Sequence, residues 1–159
     1  MKKSALWGGI IFVAILVALD QVIKHLVVTH MELYQAIDVL PFLKLFYTQN
    51  TGIAFSMLAS FHDWGLIALT IVVIIFVIFL WLKGDKNKQL ANIGYLLVLG
   101  GAFGNLIDRV RFHYVVDYIL VYAYGWSFAV FNAADAFITI GAVLIILNEL
   151  FGSKPVKKT

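Results

Sequence analysis

The chain has 159 residues, enough for one domain and too few for a second of useful size. Hydrophobic residues make up 62% of it and charged residues 13%. A soluble fold of this size could not bury so much apolar surface, so the bilayer is the expected solvent. The net charge of +3 comes largely from lysine clusters flanking apolar runs. No basic stripe interleaved with aromatics is available to follow a phosphate backbone. The lack of cysteine argues against a thiol nucleophile, disulfides, thiolate metal sites and a cysteine-linked lipid anchor.

The first predicted span covers about residues 5–28, broken only by Asp20, Gln21, Lys24 and His25 near its far end. Lys2 and Lys3 before an apolar run have the look of a secretory leader. The run resumes after Asp20, however, and no small-x-small cleavage site closes it, so it reads as an uncleaved span. Residues 38–49 read as a strand, with Pro41 favouring a sheet edge, and Asn50-Thr51-Gly52 as a turn into residues 53–56. A second span is expected over about 65–82. It is rich in Ile and Val, yet lipid forces the backbone to satisfy itself as a helix. The third covers about 90–107 and the fourth about 131–150, each near the ~20 residues that cross a hydrocarbon core. Between them, residues 111–130 are aromatic and mixed, in the manner of an interfacial amphipathic segment. The expectation is one all-α membrane domain over 1–159, with outer segments 29–64 and 108–130 and a small extracytoplasmic β-cradle.

Orientation follows from the basic residues. Lys2, Lys3, Lys83, Lys86, Lys88, Lys154, Lys157 and Lys158 fall on one side, and Lys24, Lys44, Arg109 and Arg111 on the other. Eight against four predicts cytoplasmic termini. Trp7, Trp64, Trp81 and Trp126 each lie near a predicted span end, as an aromatic belt requires.

The costly residues cluster at one level. Asp20, Lys24, Asn50, Asn105, Asp108, Arg109, Asp117, Asn132 and Asp135 all map to the outer span ends or adjoining segments. A charge at membrane depth costs roughly 2.5–3.5 kcal/mol on insertion scales, so several at one level imply a shared polar site. Asp20 and Lys24 are four apart and can pair, as are Asn105 and Arg109; Asn132, three before Asp135, can orient that carboxylate. Gly100 and Gly104 form a G-x-x-x-G that admits a neighbouring helix. The glycine run there lacks the strand–turn–helix setting of a phosphate loop.

Asp117 and Asp135 are the candidate catalytic pair. Two close carboxylates cannot both ionise easily, so they share a proton; one can then activate water while the other protonates a carbonyl oxygen. Other readings stand beside this one. The aspartates could be solvated interfacial carboxylates or partners of Arg109 or Arg111, Asp20–Lys24 a structural ion pair, and the asparagines turn or interhelical residues. His25 and His30 are five apart, no H-E-x-x-H occurs, and no metal site is expected. Ser56 and Ser127 sit in no nucleophile motif, although a Ser56–Lys24 site is conceivable chemically.

Five motifs in order carry a resemblance. They are Asp20-Gln21-x-x-Lys24, Asn50-Thr51-Gly52-Ile53-Ala54-Phe55-Ser56, Gly101-Ala102-Phe103-Gly104-Asn105-Leu106-Ile107-Asp108-Arg109, Val115-Val116-Asp117-Tyr118 and Phe131-Asn132-Ala133-Ala134-Asp135. Through them the chain resembles the bacterial lipoprotein signal peptidases (type II signal peptidases). The resemblance implies catalytic roles for Asp117 and Asp135. It implies pocket or substrate-positioning roles for Asp20, Lys24, Asn50, Gly101, Asn105, Arg109, Asn132 and Ala134. It further implies a cofactor-free aspartyl endopeptidase of the bacterial inner membrane that cuts prolipoproteins before a diacylglyceryl-modified cysteine. Such an enzyme needs no oligomer and is inhibited by the cyclic peptide globomycin. Two rivals from other classes are a proton-coupled carrier, which should place polar groups at the bilayer midplane, and a structural membrane subunit, which should tolerate loss of either aspartate.

Overall fold

The computed structural model describes residues 3–52, 62–85, 87–123 and 126–151. The expected turn partner at 53–56, Ser56 included, lies outside them, as do Lys2, Lys86, Lys154, Lys157 and Lys158 of the charge count. Four helices form: α1 (Lys3–His30), α2 (His62–Lys83), α3 (Gln89–Phe112) and α4 (Ala133–Phe151). All four are long and apolar enough to cross a membrane. Their outward faces carry exposed apolar side chains, among them Ile11, Ile15 and Leu19 on α1 and Val72, Ile75 and Phe79 on α2. In lipid such exposure costs nothing, because the solvent is itself apolar.

α3 is the central helix and packs against the other three. Two glycine faces make this possible. A Cβ on Gly94 would lie 2.7 Å from the Gly141 carbonyl oxygen, and one on Gly141 would lie 2.6 Å from that of Gly94, so α3 and α4 meet backbone to backbone. Gly100 and Gly104 face α1 instead, against Leu16 and Asp20. The expected G-x-x-x-G contact is therefore with α1, and the close α3–α4 approach uses Gly94, Gly101 and Gly141. Ile74 and Val77 of α2 complete an apolar core with Val98, Leu99 and Ala102. α3 ends where His113 turns left-handed (φ 63°) and returns its N–H to the Arg109 carbonyl.

An antiparallel sheet in the order β1–β2–β3–β4 docks on one end of the bundle. Its strands are β1 (Ala36–Leu40), β2 (Leu43–Asn50), β3 (Val115–Ala123) and β4 (Trp126–Ser127). The single strand expected over 38–49 is in fact a hairpin. Leu40 pairs with Leu43, leaving Pro41 and Phe42 as the turn, since Pro41 has a fixed φ and no N–H to give a ladder.

The segment 111–130 also differs from expectation: it supplies β3 and β4. Val115, Val116, Asp117 and Tyr118 are all buried, so β3 shows no alternation between a wet and a dry face, the usual mark of a strand. Val116 and Tyr118 pack with Val27, Met31 and Tyr47, fastening the sheet to the end of α1.

Candidate active site

Two backbone arrangements bring the polar residues together. In the β2–β3 ladder Thr48 lies opposite Asp117 and Asn50 opposite Val115. Asn50 therefore projects on the same face as Asp117, one step along the strand. Its amide donates to Asp117 Oδ2 at 2.9 Å, while its own Oδ1 accepts the Gly52 N–H at 2.9 Å and closes the turn. Beyond the sheet, Ile119 and Phe131 exchange backbone hydrogen bonds of 2.8 and 3.0 Å. That bridge sets the first turn of α4, and with it Asp135, beside β3.

Asn132 is the residue that joins the two carboxylates. Its Nδ2 donates to Asp117 Oδ1 at 2.6 Å, and its backbone N–H donates to Asp135 Oδ2 at 3.2 Å. Its Oδ1 accepts the Asp135 N–H at 3.0 Å. The last two contacts are a reciprocal capping box, in which the N-cap side chain and the side chain three residues on satisfy each other's backbone amides. The remaining first-turn amides also have partners. Ala133 N–H donates to Tyr118 Oη at 3.1 Å, Ala134 N–H to Asp20 Oδ1 at 3.1 Å, and Ala136 N–H to the Asn132 carbonyl at 3.2 Å. The turn carrying Asp135 is thus held by β3, by α1 and by its own cap.

Behind the pair lies a buried ionic cluster. Lys24 Nζ is 2.9 Å from each of Asp20 Oδ2, Asp108 Oδ2 and Asn105 Oδ1, which uses all three of its hydrogens. Asn105 then donates through Nδ2 to Asp135 Oδ1 at 2.8 Å. Gln21 donates to Asp108 Oδ1 at 2.8 Å and to the Gly104 carbonyl at 3.2 Å. Gly101 and Gly104 are small for a reason the site requires. A side chain at Gly101 would strike the Ala134 carbonyl, and one at Gly104 would lie 2.5 Å from Asp20 Oδ2.

Burial pushes the Asp117 carboxyl up to about 6 from the ordinary carboxylate range. The amides of Asn50 and Asn132 pull the other way, and the neighbouring Asp135 charge adds to the rise. Burial likewise pushes the Tyr118 phenol up to about 12, so it stays protonated.

Of the residues expected at the site, Asp20, Lys24, Asn50, Asn105, Asp117, Asn132 and Asp135 share one hydrogen-bond network, with Gly101 and Ala134 as its close-contact backbone. Arg109 stands apart. It is half-buried and its charge acts on Asp135, Asp117 and Asp108, but among the described residues it forms no ion pair with any of them. Its expected neighbour Asn105 turns to Lys24 and Asp135 instead. Asp108, one of the costly polar residues at that level, belongs to the network too, as do Gln21 and Tyr118, to which the sequence assigns no site role. Gln21 lies inside a quoted motif at helical spacing from Lys24, a signal that could have found it. Among the described residues no three His, Cys, Asp or Glu side chains form a group able to hold a metal ion.

Together these features mark a class: a protein with four helices able to cross a membrane and an asparagine-linked pair of carboxylates, Asp117 buried and Asp135 half-buried, where the helices meet a small sheet. Similarity to known proteins narrows it. The model of the signal peptidase (SPase) II family matches residues 12–151. The lipoprotein signal peptidases of Brucella ovis and Brucella melitensis are each 57% identical over 152 residues, covering 96% of this chain and 95% of theirs. Two solved structures of a bacterial membrane enzyme, obtained by the in meso method at 1.9 and 2.3 Å, superpose with TM-scores of 0.84 and 0.83. Both are 31% identical; the first covers 92% of this chain and 94% of its own, the second 96% and 93%. The chain belongs to the signal peptidase II family, a family of proteases.

Proposed function

We propose that this protein is an aspartyl endopeptidase that removes signal peptides from diacylglyceryl-modified prolipoproteins, cutting before the lipidated cysteine. The single observation that carries the chemistry is Asn132, which hydrogen-bonds both carboxylates and holds Asp117 and Asp135 as one unit. Names of the relatives support the substrate class.

In this reading the pair binds one proton between them. Water attacks the scissile carbonyl and gives its proton to the ionised carboxylate, while the protonated one donates to the carbonyl oxygen. Collapse of the tetrahedral intermediate breaks the C–N bond: the amine of the lipidated cysteine leaves with the proton taken from water, and a hydroxyl of the intermediate returns a proton to the carboxylate that donated, restoring the one-proton pair. Asn50 and Asn105 each hold one oxygen of the pair and Asn132 holds one of each, so the two carboxylates are fixed in orientation before substrate arrives. The sheet end of the bundle faces outward from the bacterial inner membrane, with both termini in the cytoplasm and the β1–β2 hairpin as a cradle. A lipidated substrate then reaches the site from the membrane plane. Globomycin is expected to occupy the same place.

The test is cleavage of a diacylglyceryl-modified lipobox peptide by purified wild type, Asp117→Asn and Asp135→Asn. Loss of ~10²-fold or more in each folded variant supports the pair. Near-wild-type rates in both variants remove it, and a wild type inert toward the lipidated peptide removes the substrate assignment.

A further inference from the structure

A cleft opens where α1, α3 and β3 meet, with a volume of about 90 Å³. Gln21, Lys24 and Asp108 form its floor, and His25, Arg111 and Phe112 line it with them. The floor is closed chemically. Lys24 spends its hydrogens on Asp20, Asp108 and Asn105, and Asp108 accepts from Gln21, Lys24 and the Val116 N–H.

The rim is open. His25 and Arg111 are both exposed, and among the described residues neither pairs with a carboxylate. The Arg111 guanidinium rests 4.9 Å over the Phe112 ring, which holds its planar fork at the mouth. Below the rim, Ala18 and Ala14 continue the face of Gln21 and His25 down α1 at helical spacing, and both are exposed and small. A cationic mouth at the end of the spans, above a strip of small exposed apolar side chains, has the two-part chemistry of a lipid: phosphate at headgroup level and chains beneath. The cleft is too small for a peptide and is separated from Asp135 by Lys24 and Asn105.

We propose that this cleft binds the phosphodiester group of a membrane phospholipid, with Arg111 and His25 donating to its oxygens and an acyl chain running past Ala18 and Ala14. The experiment is titration of the purified, detergent-solubilised protein with short-chain phosphatidylglycerol. Wild type, Arg111→Gln and His25→Asn/Arg111→Gln are compared, with native mass spectrometry giving stoichiometry. One saturable lipid on wild type is expected, weakened about tenfold or more by Arg111→Gln and lost in the double variant, with thermal unfolding unchanged because both side chains are exposed. Equal affinity in wild type and double variant would overturn the site. Diacylglycerol of the same chain length binding as tightly as the phospholipid would overturn phosphate recognition. Inorganic phosphate displacing the lipid at equal concentration would assign the cleft to free phosphate and overturn the lipid.

Discussion

Lys24 Nζ lies 2.9 Å from Asn105 Oδ1, and this contact decides which end of the Asn105 amide faces Asp135. With Oδ1 held by an ammonium, Nδ2 is left to donate to Asp135 Oδ1 at 2.8 Å. The same Oδ1 accepts from Asn132 Nδ2 at 3.3 Å, so one carbonyl oxygen couples the ionic cluster to both members of the carboxylate pair. Lys24 is 3% exposed and Asp20 wholly buried. At that depth an ion pair does little for net stability, but breaking it leaves a charge without a partner.

Lys24→Met is accordingly expected to cost about 3–5 kcal/mol, because Asp20 and Asp108 lose their shared cation. Combining it with Asp108→Asn should recover part of that loss. Thermal unfolding of both variants in detergent checks this; a double variant no more stable than the single would contradict the pairing.

Asn132 has two duties that substitution can separate. Asn132→Ala loses the cap of α4, worth roughly 0.5–2 kcal/mol, together with the bond to Asp117. Asn132→Ser keeps an N-cap oxygen for the Asp135 N–H but is too short to bridge to Asp117. Its stability should lie close to wild type while kcat falls by about 10²-fold, the range of a lost acid–base arrangement. Parallel melting curves and single-turnover cleavage decide it; equal kcat for Asn132→Ser and wild type would confine Asn132 to capping.

The raised Asp117 carboxyl gives a pH signature. A folded-state value near 6 against an ordinary 3.8 means that the folded chain binds more protons between those values, so stability falls as pH rises across that window. At pH 8 the ionised form is penalised by an amount on the order of 3 kcal/mol. Asp117→Asn should therefore unfold at a higher temperature than wild type at pH 8 and show no such advantage at pH 4. Part of the gain is offset, since an amide accepts at one oxygen only. If Asp117 is the proton-bearing member, kcat/KM of wild type falls as pH rises through about 6; a rate that climbs there makes it the base.

Gly101 and Gly8 form a matched pair. A methyl at Gly101 meets the Ala134 carbonyl, whereas one at Gly8 has nothing within 4 Å. Gly101→Ala should cost about 1–3 kcal/mol as overpacking and displace the turn bearing Asp135, lowering cleavage at least tenfold. Gly8→Ala should be silent in both assays, and a silent Gly101→Ala would mean that α4 can yield.

Residue order alone specified the four apolar helices. A run of about 20 apolar residues in lipid has one backbone solution, and the costly polar residues at its ends can be read off directly. It also determined that Asp20 meets Lys24 and that Asn132 serves Asp135, since three- and four-residue spacing on a helix is local geometry. The remaining contacts depend on how distant segments pack. β3 is buried on both sides and so lacks the alternation that marks a strand, and Pro41 makes a turn where an edge strand would also have tolerated it. Asn105 faces Lys24 and Asp135 rather than Arg109, because three partners from other elements outweigh one neighbour on its own helix. That Asp117 and Asp135 share Asn132 depends on the Ile119–Phe131 bridge and on the glycines that let α3 and α4 touch. Contacts between distant segments are set by how whole elements pack, and no local spacing encodes them.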